Sequence, residues 1–221
     1  MKRWLLLIGI TAGFTAGWLI AGPPAPHPAQ ASPARIANAN PPPVGKTGAP
    51  SEGTCADCHG SGNGTGNNTG GGLMVILPAL GTYSPGQTYP IAVALDGPGA
   101  TRYGFELTAL DASNNMAGTF TNVTDSTGTQ SGNGRIYVNQ VTTHGDGTYA
   151  GQSGGGGWVF TWTAPAPGAG TVTFYAAGVA ANNDNSADSG DQTYTATMTS
   201  AEGSGTPVQR TTWGAIKNRY R

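Results

Sequence analysis

Trp158-Val159-Phe160-Thr161-Trp162-Thr163 decides the fold class. Three aromatic side chains occupy alternate positions, with Val159, Thr161 and Thr163 between them. That is the period of a strand with one face buried and the other wet. Phe105, Leu107 and Ala109 alternate in the same way, as do Val172, Phe174 and Ala176. Short apolar segments recur at 73–77, 88–95, 102–110, 116–123, 135–142, 158–163, 171–180 and 192–199. Turn formers separate them, among them Ser84-Pro85-Gly86, Asp96-Gly97-Pro98-Gly99 and Pro165-Ala166-Pro167-Gly168. The spacing predicts an all-β chain of about seven to nine antiparallel strands packed as a sandwich. No alternation of helix and strand supports a doubly wound sheet. With 37 Gly and 16 Pro in 221 residues, a coiled coil or helical bundle is excluded. Eighteen aromatic residues exclude a wholly disordered chain.

The ends of the chain differ from this body. Lys2 and Arg3 precede an apolar run from Trp4 to Ala21, and Ala29-Gln30-Ala31 offers a cleavage point before Ser32. Residues 1–31 therefore read as a signal peptide, or as a membrane anchor if left uncleaved. No cysteine lies near enough for lipid attachment. Residues 32–46 are a Pro- and Ala-rich linker, and the sandwich is expected over 47–200. Within 201–221, Gly203-Ser204-Gly205 leads to a segment from Arg210 to Arg221 with four bases and no acid. Trp213, Ile216 and Tyr220 recur there at helical spacing, which predicts a short basic amphipathic helix. It is either a terminal helix docked on the body or a tail read by cell-surface or sorting machinery.

The net charge of −1 conceals a segregation. All eleven acids lie between Glu52 and Glu202, where Arg102 and Arg135 are the only bases, so that window carries −9. Such a body repels phosphate backbones and excludes nucleic-acid binding. It favours basic partner proteins.

Both cysteines of the chain stand in Cys55-Ala56-Asp57-Cys58-His59, the attachment pattern of c-type haem. Two thiols three residues apart can reach the two vinyl groups on one porphyrin edge. The adjoining imidazole, His59, can then turn to the iron as the proximal ligand. Export agrees, because c-type haem is attached outside the cytoplasmic membrane. Two other readings stay open: a small disulfide loop or free thiols, and a metal site. For a haem, His144 in the Gly-rich loop after residues 135–142 is the candidate distal ligand, against an ordinary loop histidine. Two histidines would give a low-potential iron and a methionine a higher one. Met74 and Met198 alternate with apolar neighbours and read as core.

The run from Asn182 to Asp191 gathers oxygen ligands, so Asp184, Asp188 and Asp191 are candidate calcium ligands, against a solvated turn. Its glycine sits one place late for an EF-hand, and no bidentate Glu follows. Glycine spacings in 60–72 mimic a dinucleotide fingerprint, but the run lacks a strand before it and a helix after it. No nucleophile–base or paired-carboxylate arrangement is apparent, so an enzyme is not expected.

Taken together, several stretches resemble bacterial reelin-like (reeler) domains, also described as choice-of-anchor V domains. They are Thr47-Gly48-Ala49-Pro50 leading into Gly53-Thr54-Cys55-Ala56-Asp57-Cys58-His59, Tyr83–Tyr89, Tyr103–Leu110, His144, Trp158–Pro165, Gly170–Ala176 and Ser189-Gly190-Asp191. The resemblance covers roughly 47–199. It implies an immunoglobulin-like β-sandwich on exported or surface proteins with a varying C-terminal anchor. Animal members are disulfide-bridged modules of adhesion and matrix, and this chain lacks the cysteines for such a framework. Bacterial members carry the Cys-x-x-Cys-His segment, which implies haem. The expectation is an exported monohaem carrier of single electrons between redox partner proteins, in the periplasm, at the cell surface or secreted. The rival expectation is a non-redox adhesion or binding module with a Cys55–Cys58 disulfide.

Overall fold

The computed structural model describes residues 41–59, 67–122, 124–142, 146–187 and 190–204. The expected signal or anchor, most of the linker and the basic tail helix lie outside these residues. Among the described residues there are ten strands: β1 Leu73–Leu77, β2 Thr82–Tyr83, β3 Thr88–Asp96, β4 Arg102–Leu110, β5 Thr119–Asn122, β6 Thr127–Gly132, β7 Arg135–Gln140, β8 Gly156–Thr163, β9 Val172–Ala181 and β10 Gln192–Glu202. They form two sheets, one of four strands in the order β1-β3-β8-β5 and one of six in the order β2-β10-β9-β4-β7-β6. The chain is an all-β sandwich, as the alternation predicts. One pairing departs from antiparallel: β2 runs parallel to the end of β10, with Ala201 opposite Thr82.

The alternation in β8 works as read. Trp158, Phe160 and Trp162 are buried between the sheets, while Val159 is exposed. Ring contacts bind the layers: Trp158 lies 4.5 Å from Phe105 of β4, and Trp162 meets Phe174 of β9 edge-on at 4.9 Å. Each indole N–H finds a carbonyl, Trp158 donating to Gly147 at 2.7 Å and Trp162 to Ala117 at 2.9 Å. Met74 and Met198 are in this core, as expected.

Two strands are not foreseen by hydrophobic pattern. β2 is two residues long, and β6 reads Thr-Gly-Thr-Gln-Ser-Gly, with no apolar side chain to mark it. β6 forms because Asn133 and Gly134 both adopt positive φ, closing a two-residue hairpin onto β7. The Asn-Gly pair was its legible signal.

β4 also differs from a half-buried strand: from Tyr103 to Leu110 every residue is buried. Its inner face meets the aromatic core. Its outer face is covered by the chain before β1, so part of the expected linker belongs to the body. The Pro42 carbonyl accepts from Gln130 Nε2 at 3.0 Å, and a side chain added at Gly132 would run into Val44. Thr47 bridges to Thr54, closing a hairpin. Inside it, the buried Glu52 carboxylate accepts from Arg135, from the Tyr137 hydroxyl at 2.7 Å and from Thr47 Oγ1 at 2.5 Å. Burial opposes the Glu52 charge, but these donors outweigh it and hold its carboxyl below the ordinary value.

Glu106, fully buried at the centre of the covered face, is less well served. Its Oε2 accepts from the Lys46 backbone N–H at 2.6 Å. Its Oε1 and both amide atoms of Asn139, directly across on β7, have no hydrogen-bond partner among the described residues. Burial, with a contribution from the neighbouring Glu52 charge, pushes the Glu106 carboxyl up to about 7, against the pull of the Lys46 N–H.

The core and the covered face each yield an expected outcome. Trp162→Ala lowers unfolding stability by about 3–5 kcal/mol, read from urea denaturation, because it empties the junction of both sheets. The folded-state value of Glu106 lies above that of the unfolded chain, so its contribution is complete below about pH 4.5 and is lost as pH rises through about 7. Glu106→Gln therefore flattens the decline in stability between pH 5.5 and 8, and at pH 8 exceeds the parent by about 1–3 kcal/mol. An unchanged slope in that window would mean that Glu106 carries its charge without penalty.

Candidate functional site

The hairpin 47–54 delivers the cysteine motif to the outer face of the six-stranded sheet. Thr54 is extended and caps a short 3-10 turn, Cys55–Asp57, its Oγ1 accepting from Ala56 N at 3.3 Å. The Cys55 carbonyl then accepts from Cys58 N at 3.2 Å and His59 N at 2.9 Å. This double acceptance winds both cysteines and the histidine into one tight unit. A Cβ at Gly53 would come within 1.8 Å of Asp57 Oδ2 and would displace that side chain. Lys46 Nζ meets that same oxygen at 2.7 Å, an exposed pair that stabilises little.

The two thiols are not bonded to each other. Burial, reinforced by the nearby Glu106 carboxylate, pushes the Cys55 thiol up to about 12. Redox-active cysteine pairs depend on a lowered thiol pKa. Cys55 has the opposite environment and stays protonated.

His59 Nδ1 lies 2.6 Å from Asp191 Oδ2. The Asp191 side chain is fully buried and that of His59 is 17% exposed. Asp191 sits where the β9–β10 connection enters β10, and its Oδ1 accepts from Asn182 N at 3.3 Å. An ionised carboxylate only accepts hydrogen bonds, so Nδ1 must carry the proton. In the neutral ring Nε2 is then left with its lone pair. Sequence reasoning missed this role. Asp191 was grouped with Asp184 and Asp188 as a calcium ligand, and separation along the chain hid its approach to His59.

His59 stands where two hollows adjoin. The smaller, about 50 Å³, is lined by Cys55, Cys58, His59, Pro43 and Phe105. The larger, about 200 Å³, continues past His59 to Arg102, Thr148, Asn183, Asn185 and Asp191. Gly104, Val179 and Gln140 line both. Gly104 and Val179 are cross-strand partners. Because Gly104 has no side chain, the floor beneath His59 is shallow, and a Cβ there would press on the Gln140 amide at 3.1 Å.

Of the other expected ligands, His144 and Asp188 lie outside the described residues. Gln140 and Thr148 line the larger hollow, while the described neighbours of the His144 segment, Thr142 and Asp146, line neither hollow. Asp184 lines it too, but its carboxylate is occupied locally, accepting from Ser186 N at 2.8 Å and Asn182 Nδ2 at 3.0 Å. Among the described residues, no group of three or more His, Cys, Asp or Glu side chains converges as a metal site. Nor is any helix among them long and apolar enough to cross a membrane.

No family model matches the chain, and no curated protein matches it either. Among solved structures, AvmM, which catalyzes macrocyclization in alchivemycin A biosynthesis, is similar at 11% identity over 62% of this chain and 93% of its own, with a TM-score of 0.38. The seventh ScaB type I cohesin from Pseudobacteroides cellulosolvens is similar at 9% identity over 63% of this chain and 98% of its own, with a TM-score of 0.36.

Proposed function

We propose that this chain is an exported monohaem c-type electron-transfer protein. Cys55 and Cys58 would hold the porphyrin as thioethers, and His59 would be the proximal ligand through Nε2. The observation that carries the reading is the buried Asp191–His59 pair beside the two thiols. A metal-binding imidazole is ordinarily fixed by a second partner on its other nitrogen, and Asp191 supplies that partner. An isolated disulfide loop would have no use for it. The donor set fits the group in two further respects. Both thiols and His59 line one hollow, and Cys55 is held as a thiol. Thioether formation adds S–H across a vinyl double bond, sulfur to one carbon and hydrogen to the other, so it consumes thiols and needs no oxidant.

Bound haem supplies a one-electron iron couple. The chain's own residues then do the remaining work. Asp191 holds the orientation of His59 through its hydrogen bond to Nδ1, which would favour the oxidised state of an iron bound at Nε2. Pro43 and Val179 give the thiol side apolar walls. His144 would be the second iron ligand. The acidic body would steer a basic redox partner, an effect weakened by salt. Calcium at the 182–191 loop has less support, because Asp191 is committed to His59.

Expression in a host that attaches c-type haem tests the reading. The expected product gains the mass of one haem, retained after denaturation, and loses it in the Cys55→Ala/Cys58→Ala variant. Asp191→Asn keeps the haem and raises the midpoint potential by on the order of 60 mV, a tenfold shift in a one-electron equilibrium. A colourless product with a Cys55–Cys58 disulfide would return the chain to the adhesion or binding-module reading.

A further inference from the structure

The acidic body contains two arginines, and they are used differently. Arg135 is paired with Glu52 and also donates to the Pro50 carbonyl at 3.2 Å. Arg102 is half-buried at the start of β4 and has no ion pair among the described residues. Its contacts are long and to neutral oxygens: Nε to Thr148 Oγ1 at 3.4 Å and Nη1 to Asn185 Oδ1 at 3.3 Å. A guanidinium offers five donors, so most of its capacity faces the larger hollow unused. The described acids beside it are already occupied. Asp191 is bound to His59, and Asp184 is held within its own turn. Asp146 feels the Arg102 charge but spends its oxygens on Thr148 and Ala150. A partly buried cation with no counter-ion among the described residues, in a body with so few bases, is matched to an anion that enters the hollow.

The position of Arg102 identifies the anion. Phe105 lines the hollow that holds both cysteines, Gly104 lines both hollows, and Arg102 lines the larger one. At about 3.3 Å per residue along a strand, the cysteine-lined and arginine-lined ends are separated by about 10 Å, the scale of a porphyrin's width. The vinyl and carboxylate groups of haem sit on opposite sides of the ring. We propose that Arg102 would anchor the propionate carboxylates of the haem. This rests on the haem reading above.

The test uses the holoprotein with Arg102→Gln and Arg102→Lys, measuring covalent haem content and midpoint potential from pH 5 to 9. With a guanidinium alongside, the propionates stay ionised through this range and the potential changes little with pH. Arg102→Gln should lower the potential by on the order of tenfold in the reduced-to-oxidised ratio, about 59 mV for one electron, and add a pH-dependent step. Arg102→Lys, which keeps a cation, should stay near the parent. If Arg102→Gln loses its haem and Arg102→Lys keeps it, the cation is again implicated. Haem retained in Arg102→Gln with an unchanged potential and pH profile overturns the proposal and leaves the haem reading standing. Loss of haem from both variants also overturns it, since the charge would then not be what matters. A parent protein without covalent haem removes both readings together.

Discussion

The carboxylate of Glu52, gripped by Arg135, Tyr137 and Thr47, ties the chain before the first long strand onto the outside of the six-stranded sheet. This tether determines where the cysteine motif sits. A sandwich needs only its two inner faces to be apolar, and the aromatic rows of β4, β8 and β9 provide them. Without the tether, Gly104, Glu106 and Asn139 would face water, and Cys55, Cys58 and His59 would hang from a free strand. Compared with an apolar substitute, a buried ion pair contributes little net stability, but losing one partner strands a charge at a cost of about 3–5 kcal/mol. The clamp is therefore better understood as fixing one arrangement than as a source of stability.

Covering that face leaves polar groups poorly served. Glu106 and Asn139 lie side by side under the tether with atoms unpartnered among the described residues, and Thr193 and Ser200 also bury hydroxyls without a partner there. An apolar pair at 106 and 139 would suit stability better. Glu106 is also the group whose charge helps keep the Cys55 thiol protonated, so the penalty of burying it falls beside the chemistry. Local strain of this kind concentrates at functional sites.

The fold was legible where side chains alternate between apolar and polar. Trp158, Phe160 and Trp162 marked β8, and Val172, Phe174 and Ala176 marked β9, because an inward row needs a period of two. It was not legible in β6, whose Thr, Ser, Gln and Gly residues pair by backbone alone at a sheet edge. Nor could periodicity show that β4 is buried on both faces, since the cover comes from residues some fifty positions earlier. The site divides in the same way. Cys55, Cys58 and His59 are adjacent in sequence and declare themselves. The bond from His59 to Asp191 spans 132 residues and exists only because β10 enters the sheet beside the 3-10 turn.

That bond changes how the acidic run 182–191 is understood. As sequence, its clustered oxygens suggested a cation loop. In the fold, its members divide the work. Asp184 shapes a local turn, Asn185 contacts Arg102, and Asp191 leaves the loop to hold an imidazole. One connection between two strands thereby touches both His59 and Arg102, which has no ion pair among the described residues. Under the proposed haem reading, the carboxylate would favour the oxidised iron and the guanidinium the reduced one. The Asx turns at Asn182 and Asp184, each accepting from a backbone N–H two residues ahead, fold the first half of this connection locally, and this keeps Asn185 beside Arg102.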